Sequence, residues 1–185
     1  MSKLDFNLLK AYMLGFKGVK NLNLYKKAAF KLLKEGATGE IDSVFYLGWD
    51  ITNVCNAKCD FCSKWMQPVK ELTLQQKLKV IDNVAKVKIG FFSINGGEPF
   101  LSKDIWKVIE HIKKKRIYLN INTNGSLLYK FRKEILNSGV DKITISLDEN
   151  SKFHDDIRKI KGLHDNILSF ISYYNGIPKK KFRIA

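Results

Sequence analysis

The three cysteines of this 185-residue chain lie within eight residues, and their spacing constrains the chain's chemistry more than any other feature. Cys55, Cys59 and Cys62 form a C-x3-C-x2-C pattern directly after an apolar, strand-like run. Three thiolates on one tight loop can bind three corners of a cubane iron–sulfur cluster. Clusters that only carry electrons usually have four protein ligands. The pattern therefore predicts a [4Fe–4S] cluster whose fourth iron is open to another ligand, as the metal of a catalytic zinc site is.

Composition and cysteine usage indicate a soluble protein of one domain's length. The hydrophobic content of 45% is ordinary for a globular protein, so a core can form. The sequence has no run of the roughly 18 apolar residues that span a bilayer, and its N-terminus lacks the pattern of a secretory signal. Three clustered cysteines argue against a disulfide framework and favour metal binding in a reducing compartment. We therefore expect a cytoplasmic location.

The net charge of +15 raises the question of an anionic partner, either nucleic acid or a membrane surface. The basic residues are mostly lysines spread along the chain, without the interleaved arginines and aromatics of a nucleic-acid face. This pattern favours a solvated surface over an RNA-binding one.

The first 40 residues form a predicted N-terminal helical extension, separate from a core domain at 41–185. Apolar residues recur at helical spacing over 3–16 and 22–35, with glycines between and after the two segments. We interpret them as a helical lead-in that packs against the core. A basic amphipathic pair lying on a membrane surface is the alternative.

From residue 44 onward, strand and helix patterns alternate. Predicted strands are Val44–Ile51, Ile89–Asn95, Ile117–Asn122, Lys142–Leu147 and a fifth from Lys181; predicted helices are Leu74–Val87, Lys103–Lys115, Tyr129–Asn137 and Asp155–Tyr174. Thr73 and Ser102 are the expected N-caps of the first two helices. Alternation at these lengths implies an α/β fold with parallel strands and right-handed crossovers.

Polar residues share one face of three predicted strands. They are Ser93 and Asn95; Asn120, Asn122 and Asn124; and Thr144, Ser146 and Asp148. An open sheet covered by helices on both faces would have nearly continuous apolar strands. The alternation instead predicts a wide, incompletely filled barrel interior that binds a polar ligand.

Four motifs in order carry a family resemblance. After the lead from Trp49 into the cysteines come Asn95-Gly-Gly-Glu-Pro99, Asn122-Thr-Asn-Gly125 and Ser146-Leu-Asp148. They match the "GGEP", "TNG" and "SLD" elements of the radical S-adenosylmethionine (SAM) enzymes, which this chain resembles over about residues 44–185. The branch it resembles contains molybdopterin, nitrogenase-cofactor and pyrroloquinoline-quinone biosynthesis proteins.

The resemblance implies a partial (β/α)6, TIM-like barrel, which in this chain ends after about four βα units. Ligands of such barrels lie at the carboxyl ends of the strands. It also implies that SAM chelates the open iron through its amino and carboxylate groups. Reductive cleavage then yields a 5′-deoxyadenosyl radical that abstracts hydrogen from a substrate, with an electron donor such as flavodoxin or ferredoxin. The substrate is open. The alternative is a cluster- and SAM-binding module that a partner subunit or an oligomer completes.

Six cofactor-binding residues follow from the same resemblance. Backbone groups at Gly96 and Gly97 would bind the SAM ammonium, with Glu98 ordering that loop. Phe61 would lie by the adenine, and Asn122 and Ser146 would contact the ribose or the carboxylate.

The histidines offer two further patterns, a zinc site and a second family motif. A zinc site would need one of His111, His154 or His164 beside the cysteines, and none has a paired ligand spacing. The stretch from His154 to Arg158 resembles a family "HD-x-x-R" element but lacks its following glycine. It predicts only the start of a helix.

Overall fold

The computed structural model describes residues 43–67, 70–148 and 150–185. The helices predicted over 3–16 and 22–35 lie outside these residues, and the domain boundary near residue 40 stays a prediction. No helix in the described part of the chain is long and apolar enough to cross a membrane.

In the described part of the chain, five strands form one sheet in sequential order, β1-β2-β3-β4-β5. The strands are β1 (Ser43–Thr52), β2 (Lys88–Gly96), β3 (Leu119–Thr123), β4 (Lys142–Ile145) and β5 (Arg183–Ile184), and the pairs from β2 to β5 are parallel. The helices are α1 (Leu74–Val84), α2 (Ile105–Lys114), α3 (Arg132–Asn137), α4 (Ser151–Arg158) and α5 (Leu163–Asn175). The predicted α/β fold with sequential parallel strands is confirmed, and this strand order is that of a partial barrel.

The helices cover one face of the sheet because each presents an apolar stripe at helical spacing. In α2, four residues are at most 1% exposed: Ile105, Val108, Ile109 and Ile112. They join the buried strand residues Phe92, Ile94, Leu119, Ile121 and Ile143 in one hydrophobic core. Burial of this apolar area is the main stabilising term of the fold.

The opposite face of the sheet is hydrogen-bonded rather than apolar; we call it the polar face. The Asn120 amide donates to Ser93 Oγ at 3.0 Å and to Asn122 Oδ1 at 2.7 Å. Thr144 Oγ1 donates to Asn120 Oδ1 at 2.9 Å. The predicted polar face thus exists, and its side chains satisfy one another, which makes their burial tolerable.

One of the two predicted N-caps is confirmed. Thr73 caps α1 in a capping box with Gln76. Ser102 does not cap α2 with its side chain, because Ser102 Oγ accepts a hydrogen bond from the buried ammonium of Lys77 at 3.2 Å. A short 3-10 helix, Pro99–Leu101, directly precedes Ser102, and α2 begins at Ile105.

The single helix predicted over Asp155–Tyr174 is two helices. Lys159 takes a left-handed conformation (φ 57°) at the end of α4, and Gly162 another (φ 74°) before α5. Apolar spacing runs through both helices, so periodicity alone did not reveal the break. Asn150 caps α4 by accepting from the Phe153 amide at 2.8 Å.

Ile167 of α5 packs in the core beside Gly125, just after β3, and this contact generates a stability prediction. Ile167 is fully buried, whereas its neighbour Leu168 is 45% exposed. We expect Ile167→Ala to lower the free energy of unfolding by about 2–5 kcal/mol, because it leaves a cavity in the core. Leu168→Ala should cost about 0.5 kcal/mol or less. Urea denaturation of both variants checks this, and equal losses would contradict it.

Candidate active site

A cavity of about 190 Å³ lies beyond the carboxyl ends of the strands. Its walls are the cysteine loop (residues 55–62), the ends of β2, β3 and β4, and the last turn of α4. It is lined by Cys55, Ala57, Cys59, Phe61, Cys62, Lys64, Trp65, Asn95, Gly96, Gly97, Asn122, Thr123, Asn124, Ser146 and Arg158. Eight of the nine residues predicted for the site therefore line one cavity, and the ninth, Glu98, is fully buried.

Backbone hydrogen bonds to α4 fix the cysteine loop. The Lys58 amide donates to the Arg158 carbonyl, and the Asp60 amide to the Ile157 carbonyl, each at 3.2 Å. Within the loop, the Cys62 amide donates to the Cys59 carbonyl at 3.1 Å. These bonds use two of the carbonyls that a helix leaves unpaired at its carboxyl end. The loop is therefore ordered without a disulfide, and its three thiols are free.

The environment of the thiols suits a cationic centre. Burial raises the pKa of Cys55 and of Cys59, and the other cysteines raise both further because thiolates repel one another. Thiolates are the form that binds metal, so three neighbouring ones need a compensating positive charge. The guanidinium of Arg158 acts in that direction by lowering the pKa of Cys59.

The donor set fits a cubane cluster. Among the described residues, no three histidine, cysteine or acidic side chains converge on a point where one metal ion could sit. In a cubane each thiolate binds a different iron, so its ligands stand apart. Three cysteines around one cavity fit this requirement.

Gly96 and Gly97 place the end of β2 directly against the chain that leads into Cys55. The Gly97 amide donates to the Thr52 carbonyl at 2.8 Å. A Cβ at Gly97 would lie 2.3 Å from the carbonyl oxygen of Val54, and one at Gly96 2.2 Å from that of Thr52. Both glycines are thus required by a close approach of two backbones, and both also border the cavity.

Glu98 binds the ends of two strands together from beneath the cavity. Its carboxylate accepts from the Phe100 amide at 3.1 Å, the Asn124 amide at 2.9 Å and the Thr123 hydroxyl at 2.9 Å. Its own amide donates to the Val54 carbonyl at 2.9 Å. The predicted loop-ordering role of Glu98 agrees with these contacts. Burial nevertheless raises its pKa to about 7, against the lowering effect of the hydrogen bonds.

Asn122 and Ser146 differ in how free their side chains are. The Asn122 amide donates to Asn95 Oδ1 at 2.5 Å and its oxygen accepts from Asn120, so one lone pair and one N–H remain for a ligand. Ser146 is anchored by its backbone amide, which donates to the Thr123 carbonyl at 3.0 Å. Its hydroxyl makes no hydrogen bond with any described residue, and Ser146 borders the cavity.

The sequence interpretation missed Arg158 as a site residue. Arg158 Nε donates to Asp148 Oδ2 at 2.9 Å, and the guanidinium lies 5.6 Å from the centroid of the Phe61 ring. The fully buried His154, one turn earlier, places Nδ1 3.0 Å from the same carboxylate oxygen. The "HD-x-x-R" spacing was the available signal, because residues four apart share one face of a helix.

Glu98 generates a prediction of pH-dependent stability. The pKa of Glu98 is about 7 in the folded protein and about 4.5 in the unfolded chain. Between pH 4.5 and pH 7 the folded state therefore binds more protons than the unfolded state does. The stabilisation that Glu98 contributes is complete below pH 4.5 and is lost as pH rises to 7, by up to about 3 kcal/mol. We expect Glu98→Gln to remove this slope.

Chemical denaturation of the apoprotein at pH 5 and pH 8 measures the difference. The exposed Glu134 provides a control, since Glu134→Gln should keep the slope of the unsubstituted protein. Identical slopes in the Glu98→Gln and Glu134→Gln variants would contradict the assignment.

Comparison with known sequences gives a consistent picture. The chain is 33% identical over 131 residues to a probable GTP 3′,8-cyclase of Methanocaldococcus jannaschii, covering 61% of this chain and 42% of that protein. It is 27% identical over 122 residues to the mycofactocin maturase MftC of Mycolicibacterium smegmatis, covering 64% and 31% respectively. The matched region thus spans less than half the length of these relatives.

Solved structures show the same fold. SuiB of Streptococcus suis bound to S-adenosylmethionine superposes with a TM-score of 0.68 at 20% identity, covering 89% of this chain and 39% of that one. The protein anSMEcpe with bound AdoMet gives 0.60 at 19% identity, covering 77% and 43%.

The radical SAM superfamily model matches residues 49–182, a range that contains all three cysteines and every other residue predicted for the site. This superfamily uses a [4Fe–4S] cluster and S-adenosylmethionine, the two cofactors that the motifs predicted. This chain belongs to the radical SAM superfamily.

Proposed function

We propose that this chain forms the catalytic core of a radical SAM enzyme. Cys55, Cys59 and Cys62 would hold the [4Fe–4S] cluster, and SAM would occupy the 190 Å³ cavity beside them. The observation that carries the proposal is the meeting of three free thiols, a guanidinium and the polar ends of three strands around this one cavity. When bound, the two cofactors would supply reductive cleavage of the SAM sulfonium by one electron, which would give methionine and a 5′-deoxyadenosyl radical able to take a hydrogen atom from a substrate.

Arg158 is the best candidate for the carboxylate of SAM. Its guanidinium lines the cavity, yet its side chain is only 10% exposed. Asp148 takes Nε, so the terminal N–H groups remain to bind an anion. Guanidinium binds carboxylates through paired, charge-assisted hydrogen bonds. Arg158 would therefore orient SAM while it moderates the charge next to Cys59.

The other predicted contacts have compatible surroundings. The free hydroxyl of Ser146 and the remaining N–H of Asn122 suit the ribose or the carboxylate. Backbone groups of Gly96 and Gly97 border the cavity where the ammonium would lie. The Phe61 ring is 64% exposed, so adenine packing against it would bury apolar surface.

An electron donor such as flavodoxin or ferredoxin would approach the cysteine loop beside the short 3-10 helix Lys64–Met66. Met66 is 58% exposed in this segment, and the Lys58 ammonium lies 5.6 Å from the centroid of the Trp65 ring. An apolar surface with a cation beside it complements an acidic partner and raises the rate of encounter. Substrate identity is a separate question: SuiB is known bound to its precursor peptide SuiA, so peptides are one class to assay here.

The activity test uses anaerobic reconstitution with iron and sulfide. We expect about four irons and four sulfides per chain, a spectrum that changes on adding SAM, and 5′-deoxyadenosine after reduction with dithionite. A variant with Cys55, Cys59 and Cys62 all changed to serine should lack both cluster and product. A cluster without SAM cleavage would support the alternative of a module that a partner subunit completes. Bound zinc without a cluster would overturn both proposals.

Arg158 gives a prediction specific to SAM binding. We expect Arg158→Gln to weaken SAM binding by roughly 10- to 100-fold, the loss of about 1.5–3 kcal/mol from hydrogen bonds to a charged group. Lys152 is an exposed lysine on the same helix and provides a control. Lys152→Gln should change the affinity for SAM less than about twofold, since exposed charges contribute little. Equilibrium dialysis with the reconstituted protein measures both, and iron content confirms that each variant holds its cluster. Unchanged affinity in Arg158→Gln would exclude the assignment.

A further inference from the structure

The buried histidine of α4 has no role in the function proposed above. His154 exposes none of its surface to solvent and is not one of the residues that line the cavity. Its Nε2 atom makes no hydrogen bond with any residue in the described part of the chain. A buried polar atom without a partner destabilises a fold. The Nε2 side of the ring therefore gives no reason for a histidine at this position.

The Nδ1 side of the same ring, in contrast, contacts Asp148 twice. Nδ1 accepts a hydrogen bond from the Asp148 amide at 3.1 Å and lies 3.0 Å from Oδ2 of the Asp148 carboxylate. A ring nitrogen can accept from the amide or, when it carries the proton, donate to the carboxylate. Asp148 is its partner in either state, so His154 restrains both the backbone and the carboxylate of that residue.

Asp148 connects this restraint to Arg158. The oxygen that faces His154, Oδ2, also accepts a hydrogen bond from Arg158 Nε at 2.9 Å. This bond from Arg158 holds the pKa of Asp148 below its ordinary value, and His154 acts in the same direction. The Asp148 side chain is 30% exposed, and a partly exposed carboxylate keeps several rotamers unless its contacts select one. His154 supplies the second of the two contacts that do so.

His154 and Arg158 reach the same carboxylate because they lie four residues apart on α4 and share one face of it. Arg158 is the last residue of this helix, directly before the left-handed Lys159. A long side chain at such a position keeps much rotamer freedom unless it is held. Asp148 holds its Nε, which leaves the terminal N–H groups of Arg158 available to the cavity that it lines.

We propose that His154 is a positioning residue of the SAM site. It holds the Asp148 carboxylate in the rotamer that fixes the Arg158 guanidinium at the cavity. Arg158 can then bind the carboxylate of SAM without first losing rotamer freedom, and such pre-organisation raises affinity. This inference rests on the proposed function, because it takes Arg158 to bind that carboxylate. His154 acts through Asp148 and does not contact SAM.

Two substitutions of His154 separate positioning from packing. The side-chain amide of asparagine can occupy the place of Nδ1 and bond to Asp148, whereas the amide of glutamine reaches the place of Nε2. Glutamine is closer to histidine in volume. A role in packing alone would therefore make His154→Asn the more damaging change, because it leaves the larger cavity. Positioning predicts the opposite order.

The first readout is the SAM affinity of the reconstituted protein, measured by equilibrium dialysis, with iron content and circular dichroism as checks on each variant. We expect His154→Gln to weaken SAM binding about tenfold and His154→Asn less than about threefold, because only glutamine loses the bond to Asp148. His164 provides the matched control. It is a largely buried histidine with an unpartnered Nδ1, and its ring lies 5.8 Å from that of His154. His164→Gln should change the affinity less than about twofold, since it leaves Asp148 and Arg158 in contact.

The second readout needs no cofactor. In the full chain with isotope-labelled arginine, the Nε–H resonance of Arg158 reports the hydrogen bond to Asp148, and Arg158→Gln identifies it by its absence. We expect this resonance to keep its position and its slow exchange with water in His154→Asn and to lose both in His154→Gln. If His154→Gln does not fold, Asp148→Asn tests the same contact from the other side. It should also weaken SAM binding about tenfold, because the charge-assisted bond to Arg158 is lost.

Equal effects of the two His154 substitutions in either readout would overturn the inference. So would a loss of SAM affinity from His154→Gln that persists in an Arg158→Gln background, since the two residues would then act independently. Unchanged SAM affinity in Arg158→Gln would refute the assignment of Arg158 in the proposed function, and the Arg158 resonance would still decide whether His154 positions it. SAM cleavage together with identical Arg158 resonances in both His154 variants would refute this inference alone.

Discussion

The buried carboxylate of Glu98 is the constraint on which the geometry of the site depends. It joins the end of β2 to the end of β3 through the Thr123 hydroxyl and the Asn124 amide. Its backbone amide also fixes Val54, directly before the first cysteine. One residue therefore sets the relative positions of the glycine loop, the third strand and the cysteine loop. Burial of a carboxylate is tolerated here because hydrogen bonds from the surrounding donors compensate for its lost hydration.

Helix α4 is a second element that holds the cysteine loop in place. Its last carbonyls accept from the cysteine loop, while its side chains Arg158 and His154 converge on Asp148 after β4. The break after Arg158 matters here, because a continuous helix would use those carbonyls internally. The loop that holds the thiols is thus placed by a helix end that comes about 100 residues later in the sequence.

The order of the strands, the site motifs and the alternation of polar and apolar faces could all be predicted. These features depend on local periodicity and on motifs whose residues lie close in sequence. Two predictions were wrong, one of a single long helix and one of a helix cap, because the same local sequence pattern is compatible with two different structures. Apolar spacing continued through α4 and α5, so it concealed the left-handed residues Lys159 and Gly162. Ser102 matched a helix cap, but a buried lysine took its hydroxyl instead.

By itself, the sequence determined the family, the three thiols and which side of the sheet is polar, because each is recorded in the spacing of neighbouring residues. Only the tertiary structure decided that Arg158 borders the same cavity as the thiols and lies close enough to Cys59 to lower its pKa. It also decided that the glycines meet the backbone before Cys55. These are contacts between residues distant in the chain. Their existence depends on strand register and helix ends, which side-chain packing and hydrogen bonding fix only when the whole sheet has formed.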